Sequence, residues 1–229
     1  MEFLESNVLL ISLTFLTYWG ALRLQKLTGL LVLNPVLITI LVIIGYLKLL
    51  GVTYDTYYDS GRMIEFWLKP AIVALGVPLY QQMKQIRRQF LPIFISQLAG
   101  CLAGIVSVVL IARWLGATRE VVLSLAPKSV TTPIAIEVSQ KIGGVASLTA
   151  AIVVCVGLLG AILGSKMMTM GRVDSPVARS LSMGTAAHVI GTSRASQFGQ
   201  RHSAFATLGL ILNGVLTALL AGPIVDWIL

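Results

Sequence analysis

A run of polar residues bounded by two prolines interrupts an apolar part of the chain and carries residue types that bind small anions. Residues 125–137 read LAPKSVTTPIAIE, with Lys128 between the prolines. Proline removes a backbone donor and disfavours helix in the residue before it, so this backbone loses helical hydrogen bonds. A cation, short hydroxyls and the N-terminus of a restarting helix together suit a small carboxylate. The candidate residues are Lys128, Ser129, Thr131 and Thr132 for binding, with Pro127 and Pro133 as helix breaks.

A second run of small and polar residues, 183–195, lies towards the end of the chain. Three of its polar residues recur at roughly helical spacing and so share one face. A histidine side chain ordinarily titrates near neutral pH, so its residue type makes His188 suited to proton transfer, and Arg194 offers a bidentate donor to a carboxylate. The candidate residues are Thr185, His188, Thr192 and Arg194 for binding, with Gly184 and Gly191 as helix breaks.

These residues also have ordinary structural interpretations, and the sequence leaves both kinds open. Lys128 could extend its ammonium to the membrane interface while the prolines only kink a helix. Glu137 is either an intramembrane carboxylate that couples transport to a proton or cation, or the partner of Lys141 in a plain i,i+4 ion pair. His188 could be a satisfied structural residue, or it could carry the coupling proton. Arg194 could anchor a helix at the cytoplasmic interface.

The composition of the chain identifies the elements that must position these residues. Only 11% of the 229 residues are charged and 56% are hydrophobic, and the mean hydropathy is +0.89. A soluble domain carries roughly 25% charged residues, so an ordinary soluble enzyme is excluded, and the hydrophobicity excludes a disordered chain. The net charge of +8 comes from short basic clusters between apolar runs. Such clusters are typical of cytoplasmic loops rather than of nucleic-acid binding.

Uncharged stretches predict about six membrane spans, because a spanning helix needs about 20 apolar residues. The spans lie near residues 6–22, 30–50, 64–83, 90–115, 142–165 and 203–225. Residues 121–141 and 177–200 are too polar for plain spans and are predicted to be interrupted or re-entrant segments. The predicted fold is therefore an all-α polytopic membrane protein in one domain, 1–229, with a possible inverted repeat as in secondary transporters. Further candidate helix breaks are Asn34, Pro35, Pro70 and Pro78.

Sequence patterns of enzymes and cofactor sites are missing from the chain. It contains no GxSxG, HExxH, CxxC or phosphate-loop pattern. Cys101 and Cys155 each lie within an apolar stretch and are interpreted as buried small hydrophobes. We therefore expect no enzyme activity, no cofactor and no metal site.

Three segments resemble the LrgB/CidB family. They are APKSVTTPIA at 126–135, GGVASLTA at 143–150 and GTAAHVIGTSRA at 184–195, and NP at 34–35 and PAIVALGVPLY at 70–80 also fit. The resemblance covers nearly the whole chain, and its two long motifs are specific. It implies a multi-pass protein of the bacterial cytoplasmic membrane.

The resemblance implies two functions. Bacterial members are described as antiholin-like or holin-like proteins that work with a small LrgA/CidA-type membrane protein to influence murein hydrolase activity and lysis. Plastid relatives export glycolate and glycerate, and some bacterial pairs are linked to pyruvate uptake. The main hypothesis is a carrier of small monocarboxylates in the lipid bilayer, coupled to protons through His188 or Glu137. The alternative is a regulator of lysis without a defined small ligand. Homodimerisation is expected by analogy.

Overall fold

The computed structural model describes residues 6–30, 33–67, 70, 73–74 and 76–229. Within these ranges the regular structure is helical and no strand occurs, which confirms the predicted all-α class. The helices are α1 (Asn7–Thr28), α2 (Pro35–Leu50), α3 (Tyr54–Phe66), α4 (Gly76–Gln81), α5 (Met83–Arg88), α6 (Phe90–Trp114), α7 (Arg119–Leu125), α8 (Thr132–Ile142), α9 (Ala146–Met170), α10 (Pro176–Ser196) and α11 (Gln200–Ile228).

Four of these helices, α1, α6, α9 and α11, are long and apolar enough to cross a membrane. They match four of the six predicted spans. Helix α2 is also apolar but has only 16 residues. The predicted span 64–83 includes residues outside the described ranges, so it stays a prediction. The neighbours of Pro70 also lie outside these ranges, so the predicted helix break at Pro70 stays a prediction as well. Pro78 falls in the first turn of α4, where a proline is tolerated.

Asn34 and Pro35 begin a helix rather than interrupt one. The Asn34 side chain accepts hydrogen bonds from the backbone N–H groups of Val36 and Leu37, at 2.9 and 3.5 Å. Pro35 occupies the first helical position, where its missing N–H leaves nothing unsatisfied. The predicted break at this dipeptide is therefore the N-terminus of α2.

The chain divides into two compact units, Met1–Gly76 and Val77–Leu229. In the first unit α1 packs against α2 and α3. Ser60 there donates to the Asn7 side chain at 2.7 Å, and the hydroxyls of Thr14 and Tyr57 lie 3.1 Å apart. The single domain over 1–229 stays a prediction.

The first interrupted segment is a re-entrant hairpin, residues 119–142, which we call the first hairpin. Helix α7 ends at Leu125 and α8 begins at Thr132, with turns between them. Beside the start of α9, the Ser124 hydroxyl accepts from the Val145 N–H at 2.8 Å. Ile134 packs on Gly214 and Ile142 on Gly222, so α8 runs alongside the second half of α11 towards that helix's C-terminal end. The first hairpin thus enters and leaves the second unit at the same end, near the C-terminal end of α11.

The second interrupted segment, α10, re-enters from the opposite end, and we call it the second hairpin. On the way in it runs parallel to α11, because Ser180 contacts His202 at 2.8 Å and the Thr185 carbonyl contacts Asn213 at 3.0 Å. On the way out it runs antiparallel to α11, because Ser196 lies 3.1 Å from Ser203. Both interrupted segments therefore fold back, which confirms their predicted character.

The second hairpin breaks at Ala187 and His188, not at Gly184 or Gly191. Ala187 has φ −122° and ψ 15°, and His188 has φ 42° and ψ −132°. Gly191 permits the close approach that the reversal produces, since a Cβ at Gly191 would collide with the Met183 carbonyl. Met183 and Gly191 would be about 12 Å apart along an unbroken helix. Gly191 therefore serves close packing, and the reversal itself occurs at Ala187 and His188.

Small residues bring α10 and α11 into backbone contact. A Cβ on Gly184 would collide with the Ala206 carbonyl oxygen, and a Cβ on Gly209 would lie 2.6 Å from the Leu181 carbonyl oxygen. By contrast, nothing lies within 4 Å of a Cβ added to Gly104 in α6. Among the described glycines, the tightest packing thus lies at Gly184, between the second hairpin and α11, whereas Gly191 packs against Met183 and Ala187 within the hairpin.

Candidate functional site

A cleft of about 950 Å³ lies within the second unit, between α6, α9, α11 and the two hairpins. It runs from Gln89 to Ile105 along α6 and from Arg201 to Thr217 along α11. Sixteen helical residues span about 24 Å. We call the end with Gln89 and Arg201 the open end. The inner part, which we call the floor, has a polar lining formed by Gln97, Lys128, Ser129, Thr185, Asn213 and Thr217.

The floor lies halfway along the membrane-spanning helices. Asn213 is next to the midpoint of α11, and Gly100 and Gly104 flank the midpoint of α6. A helix centred on the bilayer has its midpoint about 15 Å from each edge of the hydrocarbon core. The tips of both hairpins therefore lie at the depth where irregular backbone needs protein or water around it.

Lys128 brings an unpaired positive charge to this floor. Its ammonium donates to the Ser129 hydroxyl at 3.1 Å, and its side chain is half-buried. Among the described residues that line the cleft there is no Asp or Glu, and the second lining cation is Arg201 at the open end. A buried charge is stable only when it is paired or hydrogen-bonded. The floor therefore suits an anion.

The tips of both hairpins meet at Asn213. Its side-chain N–H groups donate to the carbonyl oxygens of Ser129 and Thr185, each at 3.0 Å. The Thr185 hydroxyl lies 2.6 Å from the side-chain amide of Gln97 and 2.8 Å from the Leu181 carbonyl. The two hairpins, α6 and α11 thus share one polar network at the floor.

Of the eight predicted binding residues, the cleft contains Lys128, Ser129 and Thr185. Thr131 instead caps α8, where its carbonyl accepts from the Ala135 N–H at 2.9 Å, and Thr132 is the first residue of that helix. Neither threonine lines the cleft, because the helix restarts as soon as the turn is complete. Thr192 lies after the break of the second hairpin, and its hydroxyl donates to the His188 carbonyl at 2.9 Å.

His188 lies behind the cleft and fastens the second hairpin to α9. The side chain is 3% exposed, and its Nε2–H donates to the Val153 carbonyl at 2.8 Å. The ring fills the space over Gly157, since a Cβ on that glycine would lie 2.5 Å from it. These contacts support the structural interpretation of His188. The residue is not among those described as lining the cleft, so no contact with the cleft supports the predicted coupling role.

The backbone conformation of His188 predicts how substitutions at this position change the stability of the protein. Its φ of 42° lies in a region that only glycine adopts without strain. We expect His188→Ala to lower the melting temperature of the detergent-solubilised protein, because it loses the bond to Val153 and keeps the strain. His188→Gly should be more stable than His188→Ala, although glycine is normally about 1 kcal/mol worse than alanine in a helix. The opposite order would contradict the left-handed backbone.

Glu137 and Arg194 lie away from the floor. Glu137 and Lys141 are both exposed, and the ion pair observed in the described part of the chain joins Asp59 to Arg62 instead. Arg194 contacts the Gln197 side chain and lies 5.4 Å from the Phe198 ring, at the exit of the second hairpin. This position favours the interfacial-anchor interpretation of Arg194.

Sequence reasoning missed three residues of the floor, Gln97, Thr217 and Asn213. Each is less than 4% exposed and lies in the interior of an apolar helix. A polar side chain in the middle of a span is costly unless it has a partner or a function, and that signal could have identified them. Thr217 contacts the Cys101 sulfur at 3.5 Å.

The described residues hold no group of three or more His, Cys, Asp or Glu side chains that could bind a metal. The two cysteines are free, and they differ in environment. Cys101 is buried as expected, but Cys155 is exposed, because it lies on an outward face of α9.

Comparison with known proteins gives a consistent set of relatives. The model of the LrgB-like family matches residues 14–227. Holin-like protein CidB of Staphylococcus epidermidis is 36% identical over 219 residues, which cover 96% of this chain and 95% of that protein. Holin-like protein CidB of Staphylococcus aureus is 35% identical over 213 residues, or 93% of each chain. The Bacillus subtilis protein YwbG is 35% identical over 211 residues, or 92% and 93%. No solved structure matches.

Proposed function

The chain belongs to the LrgB-like family, and on this premise we propose that it is a membrane carrier of small monocarboxylates of the pyruvate, glycolate or glycerate type. It is a multi-pass membrane protein, with four long apolar helices among the residues that the structure describes. The single observation that carries the proposal is the Lys128 ammonium at the floor of the cleft, beside Ser129, with no carboxylate among the described residues of the lining. Re-entrant segments that meet a midplane site are the usual construction of secondary transporters.

The charges around the second unit support an opening towards the cytoplasm. Basic residues cluster at the open end, directly before α6 and around the starts of α10 and α11. They are Lys84, Arg87, Arg88, Arg172, Arg179 and Arg201. Such an excess favours the cytoplasmic side. At the other end the cleft stops at Ile105 and Ala126, which belong to a buried apolar cluster with Val109 and Leu216.

This orientation predicts one-sided access to position 128. In a Cys101→Ser/Cys155→Ser background, Lys128→Cys should react with a membrane-impermeant thiol reagent in inside-out vesicles at least tenfold faster than in intact cells. Arg119→Cys is the matched control, because Arg119 is exposed near the other end of α6, and it should react from outside. Equal reaction of Lys128→Cys from both sides would contradict a closed outer end.

A holin-like regulator of lysis without a defined small ligand is the second candidate. The names of the Staphylococcus relatives, holin-like proteins, favour it over the carrier. The cleft favours the carrier, because a non-specific pore gives no reason for a polar network that holds one ammonium. An effect on lysis could follow from a change in metabolite transport, so the two functions are separated only by measuring permeation.

Uptake into proteoliposomes distinguishes the two candidates. Labelled pyruvate, glycolate and glycerate are offered to vesicles that contain the chain alone or with an LrgA/CidA-type protein. A carrier gives uptake that saturates with substrate concentration and retains an entrapped dye. Dye or ion leak without saturation would support the holin-like regulator, and equal uptake with and without protein in both preparations would remove the carrier.

The remaining features of the carrier are also proposed. The partner is a small LrgA/CidA-type membrane protein, the assembly contains a homodimer, and the location is the bacterial cytoplasmic membrane. Proton coupling would pass through His188 or Glu137. A transmembrane pH gradient should then accelerate uptake, and uptake that is indifferent to the gradient would remove the coupling.

A further inference from the structure

Asn213 connects the two interrupted segments at the centre of the second unit. Its side chain is 2% exposed and donates to the carbonyl oxygens of Ser129 and Thr185, each at 3.0 Å. The Ser129 carbonyl lies in the turn between α7 and α8, and the Thr185 carbonyl would accept from Val189 in an unbroken helix. Pro133 has no N–H to donate to the Ser129 carbonyl, and the break after Thr185 interrupts the helix before Val189. Carbonyls that are shielded from water require a partner, and the Asn213 amide donates to both.

The same contacts determine where the Lys128 ammonium lies. Lys128 donates to the hydroxyl of Ser129, the residue whose carbonyl Asn213 holds. Both N–H groups of the Asn213 amide donate to protein carbonyls, so the amide has no donor left for a ligand. Asn213 therefore acts on a bound anion through the position of its neighbours.

We propose that Asn213 is the positioning residue of the cleft. It docks the tips of both hairpins on α11 and thereby fixes the ammonium at the floor. The inference rests on the proposed function for the identity of the ligand, a small carboxylate. The docking itself does not depend on that ligand. Leucine has a side chain of the same branching and suits a span better, so an amide at this position is explained by its two donors.

Transport kinetics test the role of the amide. We expect Asn213→Leu to raise the half-saturation concentration for carboxylate uptake at least tenfold, and Asn213→Gln, which keeps both donors, to raise it less. Thr207→Val is the matched control, because Thr207 is also buried on α11 but is not among the described residues that line the cleft, and its hydroxyl has no hydrogen-bond partner in the described part of the chain. It should stay within twofold of the unmodified protein. An unchanged value for Asn213→Leu, or an equal effect of Thr207→Val, overturns the proposal.

A second variant covers a failure of Asn213→Leu to reach the membrane. Asn213→Ser keeps a single short donor that cannot reach both carbonyls. It should raise the half-saturation concentration at least threefold with a normal amount of protein in the membrane. A value equal to that of the unmodified protein overturns the positioning role.

A measurement without substrate separates this inference from the proposed function. Asn213→Leu should accelerate thiol labelling of the Lys128→Cys reporter at least fivefold in inside-out vesicles, because the turn that carries position 128 is released from α11. Thr207→Val should leave the rate unchanged. If the unmodified chain transports no carboxylate, the proposed function fails, and this rate still decides the docking role. An unchanged rate in Asn213→Leu overturns it.

Discussion

Lys128→Met is expected to abolish saturable carboxylate uptake, or to raise its half-saturation concentration at least tenfold, while a normal amount of protein reaches the membrane. Lys128 supplies the cation at the floor of the cleft, and no Asp or Glu lies among the described residues lining that cleft. A hydrogen bond to a charged group contributes about 1.5–3 kcal/mol, which corresponds to roughly tenfold to 150-fold in affinity. Methionine keeps most of the side-chain length and removes the charge together with its N–H donors.

Two further variants show whether the effect belongs to the charge and to the site. Lys128→Arg keeps the charge and should retain part of the uptake, with a changed half-saturation concentration because the guanidinium is larger and planar. Lys141→Met is the matched control, since Lys141 is exposed at the end of the first hairpin. It should behave like the unmodified protein. Normal uptake in Lys128→Met would show that the ammonium does not bind the substrate, and the carrier proposal would lose its main support.

Gly184→Ala is expected to lower the melting temperature of the solubilised protein by roughly 2–12 °C. A Cβ on Gly184 would collide with the carbonyl oxygen of Ala206. The obstacle is the backbone of α11 and not a flexible side chain, so the helices must separate. Separation also displaces Thr185, the next residue, from Asn213, so the variant should lose uptake together with stability.

Gly104→Ala is the matched control for this packing effect. Nothing lies within 4 Å of a Cβ added to Gly104, although both glycines lie inside long helices. Alanine is favoured over glycine in a helix by about 1 kcal/mol, so Gly104→Ala should keep or raise the melting temperature. The two substitutions therefore have opposite expected signs. A stable Gly184→Ala variant would mean that the second hairpin and α11 are not in backbone contact.

Local rules account for what the sequence predicted correctly. Absence of charge over about 20 residues predicts a spanning helix, and four such helices are present in the described residues. Proline acts on its own turn and the residue before it, so the break after Leu125 could be located within a few residues. Small residues such as Gly184 indicated close packing, but they could not locate the reversal, which occurs at Ala187 and His188.

By itself, then, the sequence determined the membrane class, the two interrupted segments and the ammonium that one of them carries. Only the tertiary structure decided which polar groups meet at the floor. Asn213 lies 84 residues from Ser129 along the chain, and they meet because the two hairpins enter from opposite ends and reach the middle of the same helix. His188 lies in one of those hairpins, yet its ring turns to α9. Residue type and spacing along one helix cannot predict such contacts, because they depend on the direction in which each segment folds back.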